Sequence, residues 1–97
     1  MSQGSLSPGI TGQAQDTVAE KDLAPHVGSG DAEVYATPRL AALMERAAVN
    51  CLEGLLPEGR TSVGTRLELS HMAPTPAGLS VRATARLDEV GSKKLLF

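Results

Sequence analysis

The stretch T37-P-R-L-A-A-L-M-E-R-A-A-V-N-C-L-E-G-L55 decides the fold of this chain. Its apolar residues recur every three or four positions, which is the spacing of one face of an α-helix. Thr37 can cap free backbone N–H groups, and Pro38 suits the first helical position. Gly54 and Pro57 favour termination of the helix. We therefore predict a helix from Pro38 to about Leu55, with a core stripe formed by Leu40, Leu43, Met44, Ala47, Cys51 and Leu55.

One acid interrupts the apolar surface of this helix. The residues three and four positions from Glu45 are its neighbours on the helix surface, and all four are apolar: Ala41, Ala42, Ala48 and Val49. A carboxylate among methyl groups must be paired, hydrogen-bonded or protonated, because a bare buried charge is very costly. Glu45 is therefore either half of a buried ion pair or part of a functional site. The wide apolar surface also predicts two packing partners, the chain's own sheet and something else.

Composition places the chain among globular proteins of one domain. The 97 residues are 41% hydrophobic and 21% charged, with a net charge of −2, so nucleic acid is not an expected partner. The single cysteine, Cys51, fits a reducing compartment. The N-terminus lacks the features of a signal peptide, and no apolar run is long enough to span a membrane. We expect a cytoplasmic protein with a flexible tail over residues 1–12 and one domain over residues 13–97.

Two segments after the helix alternate between apolar and polar residues, which is typical of half-buried antiparallel strands. They cover residues 61–71 and 79–87, and the turn-rich residues 73–78 between them predict a hairpin. A third strand begins within residues 94–97, so we expect a complete sheet to need further strands. Before the helix, a weaker pattern predicts a short strand around Thr17 to Leu23. One long helix followed by antiparallel hairpins is an α+β design.

Three motifs together resemble the hotdog-fold thioesterases. They are A36-T-P-R-L-A-A-L-M-E-R-A47, T61-S-V-G-T65 and S70-H-M-A-P-T-P-A-G-L79. The resemblance covers roughly residues 31–97 and is strongest to the fluoroacetyl-coenzyme A thioesterase-like family. It implies an α+β hotdog fold, in which an antiparallel sheet wraps around one long central helix, here without the C-terminal strands. It also implies hydrolysis of a small acyl-CoA thioester, no metal or other cofactor, and a site at the interface of a homodimer or higher homo-oligomer.

The same resemblance implies catalytic roles for Thr37, Glu45 and His71 and a substrate-binding role for Gly64. Glu45 would act as general base towards water or as nucleophile. Thr37 would orient it, and His71 would assist proton transfer. Three of these residues also have an ordinary structural interpretation: a helix cap for Thr37, a satisfied half-buried histidine for His71, and a bulge or close backbone approach at Gly64.

The acyl group and the activity itself have open alternatives. The loop V27-G-S-G-D31 lacks the aromatic residues that the family carries there, so the resemblance does not fix the acyl group. A non-catalytic hotdog module that binds an acyl ligand or a partner subunit is the alternative function. A small assembly protein, whose apolar helix flank serves only as an interface, is a second alternative.

Overall fold

A computed structural model describes residues 6–97 of the chain. One long helix lies against a two-stranded antiparallel sheet, and a second, very short antiparallel pair lies near the C-terminus. In chain order the elements are β1 (Thr11–Thr17), a 3-10 turn (Glu20–Asp22), α1 (Ala24–Val27), α2 (Thr37–Cys51), β2 (Ser80–Arg86), β3 (Glu89–Val90) and β4 (Leu95–Leu96). Within residues 6–97, no helix has the length and apolar character needed to cross a membrane.

The predicted long helix is confirmed, but its ends differ from the prediction. The cap position is Ala36, which makes no side-chain cap hydrogen bond, so Thr37 is the first helical residue and not its cap. The helix ends at Cys51, and Leu52 closes its last turn. Gly54, with a φ of +74°, lies beyond this end. The apolar spacing continues to Leu55, and this explains why the sequence predicted a longer helix.

The core stripe of α2 packs against both strands of the main sheet. Leu43 and Ala47 are buried with Ala14 of β1, and the odd-numbered residues of β2 complete this cluster: Val81, Ala83 and Ala85. Cys51 is also buried, and its thiol donates to the backbone oxygen of Ile10 at 3.4 Å. The predicted strand over residues 79–87 and its apolar face are therefore confirmed.

β1 is an element that the sequence did not predict. It pairs with β2 from Thr11↔Arg86 to Thr17↔Ser80, and it begins inside the segment 1–12 that we expected to be a tail. Residues 1–5 of that segment lie outside the described part. The strand predicted around Thr17 to Leu23 is wrong in its position, because the chain leaves the sheet after Thr17 and forms the 3-10 turn.

Polar side chains of α2 cover the outer edge of β1. Asn50 donates to the backbone oxygen of Gln13 at 2.8 Å, and Arg46 donates to that of Gln15 at 2.8 Å. In an antiparallel ladder, alternate residues direct their backbone groups away from the partner strand. The helix therefore satisfies carbonyls that an uncovered edge would offer to another chain. These two side chains join the helix directly to the backbone of the strand.

The strand predicted over residues 61–71 and its hairpin with residues 79–87 are wrong for the described chain. Residues 61–78 contain no strand, and the segment is mostly exposed, with Val63 exposed to 82%. A strand exists only through a ladder with a neighbour, and no stretch of residues 6–97 lies alongside this segment in a ladder. Near the C-terminus, the predicted third strand is confirmed as β4, which pairs with β3.

A buried tyrosine joins the start of α2 to β1. Tyr35 is 1% exposed and packs with Val18 and Leu23. Its hydroxyl donates to a carboxylate oxygen of Asp16 at 2.8 Å, and Arg46 donates to the other oxygen of that carboxylate at 2.9 Å. The hydrogen bond from Arg46, and then that from Tyr35, hold the pKa of Asp16 below its ordinary value although partial burial opposes this. Burial, and then the neighbouring Asp16 carboxylate, raise the pKa of Tyr35.

Replacing Gly12 by alanine should destabilise the fold. A Cβ on Gly12 would lie 2.6 Å from the backbone oxygen of Ala47 and even closer to the backbone of Cys51. Because rigid backbone cannot move aside cheaply, we expect Gly12→Ala to lower the free energy of unfolding by about 1–3 kcal/mol, measured by urea denaturation. Gln13→Ala, on the exposed face of the same strand, is the control and should change it by less than about 0.5 kcal/mol. Equal stability of the two variants would contradict this packing.

Asp16 should make stability depend on acid pH. Because its pKa is lowered in the folded chain, its contribution is present above the ordinary value of 3.8 and is lost as the pH falls through the folded pKa. The difference in unfolding free energy between the wild type and Asp16→Asn should therefore shrink as the pH falls from about 6 to about 3. Arg46→Gln removes the largest cause of the shift and should flatten the same slope. Parallel pH curves for the wild type and Asp16→Asn would refute this assignment.

Candidate functional site

The first residue of α2 is hydrogen-bonded to the histidine predicted for the site. Thr37 Oγ1 lies 2.7 Å from Nδ1 of His71, which is only half-buried. In one ring tautomer the hydroxyl donates to Nδ1 and Nε2 carries the proton; in the other, Nδ1–H donates to the hydroxyl oxygen. The first arrangement would make Thr37 a better nucleophile, and the second would leave Nε2 free to accept a proton. Two residues 34 positions apart are thus brought into contact.

Glu45 lies beside Gly64, the residue predicted to bind substrate. A Cβ added to Gly64 would collide with the Glu45 carboxylate, so the two groups are in direct contact. This supports the interpretation of Gly64 as a point of close approach. Glu45 itself is exposed, and among residues 6–97 it forms no ion pair. The expectation of a buried or paired acid is therefore wrong for the single chain, because the neighbouring flank of α2 is open, with Val49 exposed to 55%.

The described chain contains two contacting pairs rather than one cluster of three. Thr37 and Glu45 are eight residues apart on α2, which places their backbones about 12 Å apart along the helix axis. Since Gly64 is beside Glu45 and His71 is beside Thr37, the exposed segment runs antiparallel to the helix. No hydrogen bond joins Glu45 to the other pair within residues 6–97. Thr37 and Glu45 therefore lie about two helical turns apart on α2.

A shallow depression adjoins His71. Its volume is about 190 Å³, and its lining is mostly apolar: Val34, His71, Met72, Ala73 and Pro74. Sequence reasoning did not identify Val34 or Met72, and only their positions next to Thr37 and His71 could have suggested them. A larger open groove of about 530 Å³ lies at the far end of α2, where its lining includes Leu52 and Arg60. None of the four candidate residues lines that groove, so it is not the centre of the candidate chemistry.

Metal-binding side chains do not cluster in the part of the chain that the structure describes. No group of three His, Cys, Asp or Glu residues there is placed to hold a metal ion. The predicted site residues supply a hydroxyl, an imidazole and a carboxylate, and the carboxylate lies beside a glycine backbone. These groups suit proton transfer and nucleophilic attack on an acyl group.

Known proteins resemble this chain in sequence and in fold. A family model described as fluoroacetyl-CoA-specific thioesterase matches residues 18–97. The fluoroacetyl-CoA thioesterase of Streptantibioticus cattleyicolor is 41% identical over 63 residues, which cover 65% of this chain and 45% of that protein. The chain thus aligns with less than half the length of this relative.

Solved structures of the fluoroacetyl-CoA thioesterase FlK have the same fold. One matches with a TM-score of 0.85 and 30% identity, over 93% of this chain and 71% of the other. A phenylalanine-to-alanine mutant of FlK, in complex with fluoroacetate and CoA, matches with a TM-score of 0.82 and 30% identity, over 93% of this chain and 77% of the other. The long helix and antiparallel strands are those of the hotdog fold, and the chain belongs to the fluoroacetyl-CoA-specific thioesterase family.

Proposed function

We propose that this protein hydrolyses the thioester bond of a small acyl-CoA in the cytoplasm. Its site would use Thr37, Glu45 and His71, with Gly64 beside the substrate, at the interface between two copies of the chain. The observation that carries the proposal is the 2.7 Å hydrogen bond between the Thr37 hydroxyl and His71, in a chain of a thioesterase family. A hydroxyl held by an imidazole at a helix start is an arrangement suited to acyl transfer.

The start of α2 offers a donor for the thioester oxygen. Pro38 has no N–H, and the N–H groups of Ala36 and Arg39 already donate to Asp22 and Ala36. Within residues 6–97, the Thr37 N–H forms no backbone hydrogen bond, and it lies at the partially positive end of the helix. A thioester carbonyl placed there would receive this hydrogen bond as negative charge develops on its oxygen.

Two routes to hydrolysis fit these groups. In the first, Glu45 removes a proton from water, the water oxygen attacks the thioester carbon, and the C–S bond breaks. In the second, the Glu45 carboxylate attacks the thioester carbon to give a mixed anhydride, which water then cleaves. In both routes His71 delivers a proton to the departing CoA thiolate. The products are the carboxylic acid and the free thiol of CoA.

The relatives support an acyl-CoA substrate but leave the acyl group open. Mutant structures of FlK are described in complex with fluoroacetate, with acetyl-CoA, and with fluoroacetate and CoA. In this chain the loop over residues 27–31 has no aromatic side chain to enclose a fluorinated acyl group. The depression of about 190 Å³ beside His71 suits a short acyl group. We therefore propose a small acyl-CoA without assigning fluoroacetyl-CoA.

A second copy of the chain would bring the separated groups together. Glu45 and Thr37 of one helix are about 12 Å apart along its axis, and no hydrogen bond joins their side chains within residues 6–97. Large apolar side chains beside them are exposed, with Val63 at 82% and Met72 at 89%. Such surfaces favour burial against a protein partner. We propose that Glu45 of one copy faces Thr37 and His71 of the other.

Removing either ionisable group should abolish turnover. We expect Glu45→Gln and His71→Ala each to lower kcat by about 10²–10⁴-fold, measured as release of free CoA thiol from a panel of short acyl-CoA thioesters. Glu53→Gln, which changes an exposed acid just past the end of α2, is the matched control and should retain activity. If a correctly folded wild-type dimer turns over none of the thioesters in the panel, the proposed thioesterase activity is refuted and a non-catalytic acyl-binding module is favoured.

Mixing the two inactive variants should restore activity. In a heterodimer of Glu45→Gln and His71→Ala chains, one of the two shared sites would have both wild-type groups and the other would have neither. A heterodimer purified through two different affinity tags should therefore show about half of the wild-type activity. Absence of recovery, with intact dimers, would place all three residues of a site in one chain. Activity of a monomeric chain would refute the proposal that the site lies at an interface between two copies.

A further inference from the structure

Tyr35 links the two backbone segments that carry Thr37 and His71. Tyr35 precedes Thr37 by two positions, and its backbone N–H donates to the oxygen of Thr75 at 2.7 Å. Thr75 follows His71 by four positions. The two segments that end at the paired side chains are therefore linked directly through Tyr35. A shift of Tyr35 would move Thr37 and His71 relative to each other.

The side chain of Tyr35 has its own fixed position in the core. Its ring is 1% exposed among Val18 and Leu23. Its hydroxyl has Asp16 of β1 as the nearer acceptor, at 2.8 Å, and the backbone oxygen of Arg39 in α2 at 3.2 Å. A buried hydroxyl needs such partners. The phenol thus ties the start of the helix to the sheet.

The acceptor Asp16 is fixed in turn by the helix. Arg46, in the third turn of α2, donates to Asp16 at 2.9 Å and to the backbone oxygen of Gln15 at 2.8 Å. The hydrogen bonds therefore lead from the middle of α2 through β1 back to Tyr35, two residues before α2 begins. None of these three side chains touches Thr37 or His71 through a hydrogen bond of its own.

We infer that Tyr35 is a positioning residue for the Thr37–His71 pair, acting through its hydroxyl bond to Asp16 and its backbone bond to Thr75. The expected change in kcat rests on the proposed thioesterase function. The expected loosening of the Thr37–His71 hydrogen bond does not. When the hydroxyl bond is present, Thr37 Oγ1 and His71 Nδ1 stay at hydrogen-bond distance before substrate arrives. Without it, the pair spends more time apart.

Tyr35→Phe in the full chain tests this inference. Phenylalanine keeps the ring in the core, and Asp16 keeps its bond from Arg46, so the fold should persist. The chain has two histidines, so imidazole ¹⁵N NMR can follow His71 with the exposed His26 as an internal reference. We expect the Nδ1 signal of His71 to shift and that of His26 to stay in place. The value of kcat should fall on the order of tenfold with KM unchanged, less than the roughly 100-fold that a 1 Å misplacement can cost.

Two further variants make the result decisive. Asp88→Asn breaks an exposed pair, 2.8 Å from Arg86, that has no bond to this network, and it should change neither the His71 signal nor kcat. Asp16→Asn leaves one side-chain oxygen for two donors, Tyr35 and Arg46, and should shift the His71 signal in the same direction; it replaces Tyr35→Phe if that variant does not fold. An unchanged His71 signal in the folded variant overturns the inference. A shifted signal in a protein without any thioesterase turnover supports the positioning role and refutes the proposed function.

Discussion

The close approach of α2 to β1 is the constraint on which the rest of the structure depends. Small residues, Gly12 and Ala14 on the strand and Ala47 on the helix, let the two elements meet at backbone distance. A single larger side chain there would push the helix away from the sheet, because packed interiors have little free space. Since Thr37 and Glu45 both lie on α2, this contact also sets the position of the candidate site relative to the sheet.

Polar interactions then fix the helix in one register on that surface. Apolar packing is largely non-directional, and methyl groups alone would allow α2 to slide or rotate. Arg46 and Asn50 instead bind particular carbonyl oxygens along the edge of β1. Tyr35 adds a third fixed point just before the helix begins. The same bonds that protect the edge of the sheet therefore determine which residues of α2 face the segment that carries His71.

The sequence predicted the parts of the fold whose residues repeat at a clear period. The stripe from Leu43 to Cys51 identifies a buried face, and the alternation in residues 79–87 identifies a half-buried one. β1 was missed because Asp16 occupies an inward position, and only the folded chain shows that Tyr35 and Arg46 satisfy it. The segment over residues 61–71 has the period of a strand but no neighbour to pair with in the described chain. The alternation of apolar and polar residues shows which face a strand would bury. Whether the strand forms depends on another segment that can hydrogen-bond with it.

The candidate site could be predicted only in part, for a related physical reason. No periodicity joins Thr37 to His71 across 34 residues, and only the family resemblance predicts that they belong to one site. The apolar neighbours of Glu45 indicated a covered acid, yet the single chain leaves it in water. Both observations are consistent if those neighbours are selected for a surface that this chain does not itself supply. Covering that flank would exclude water from the carboxylate and strengthen its electrostatic interactions with nearby groups. On this view the wide apolar arc of α2 and the acid within it form a single feature.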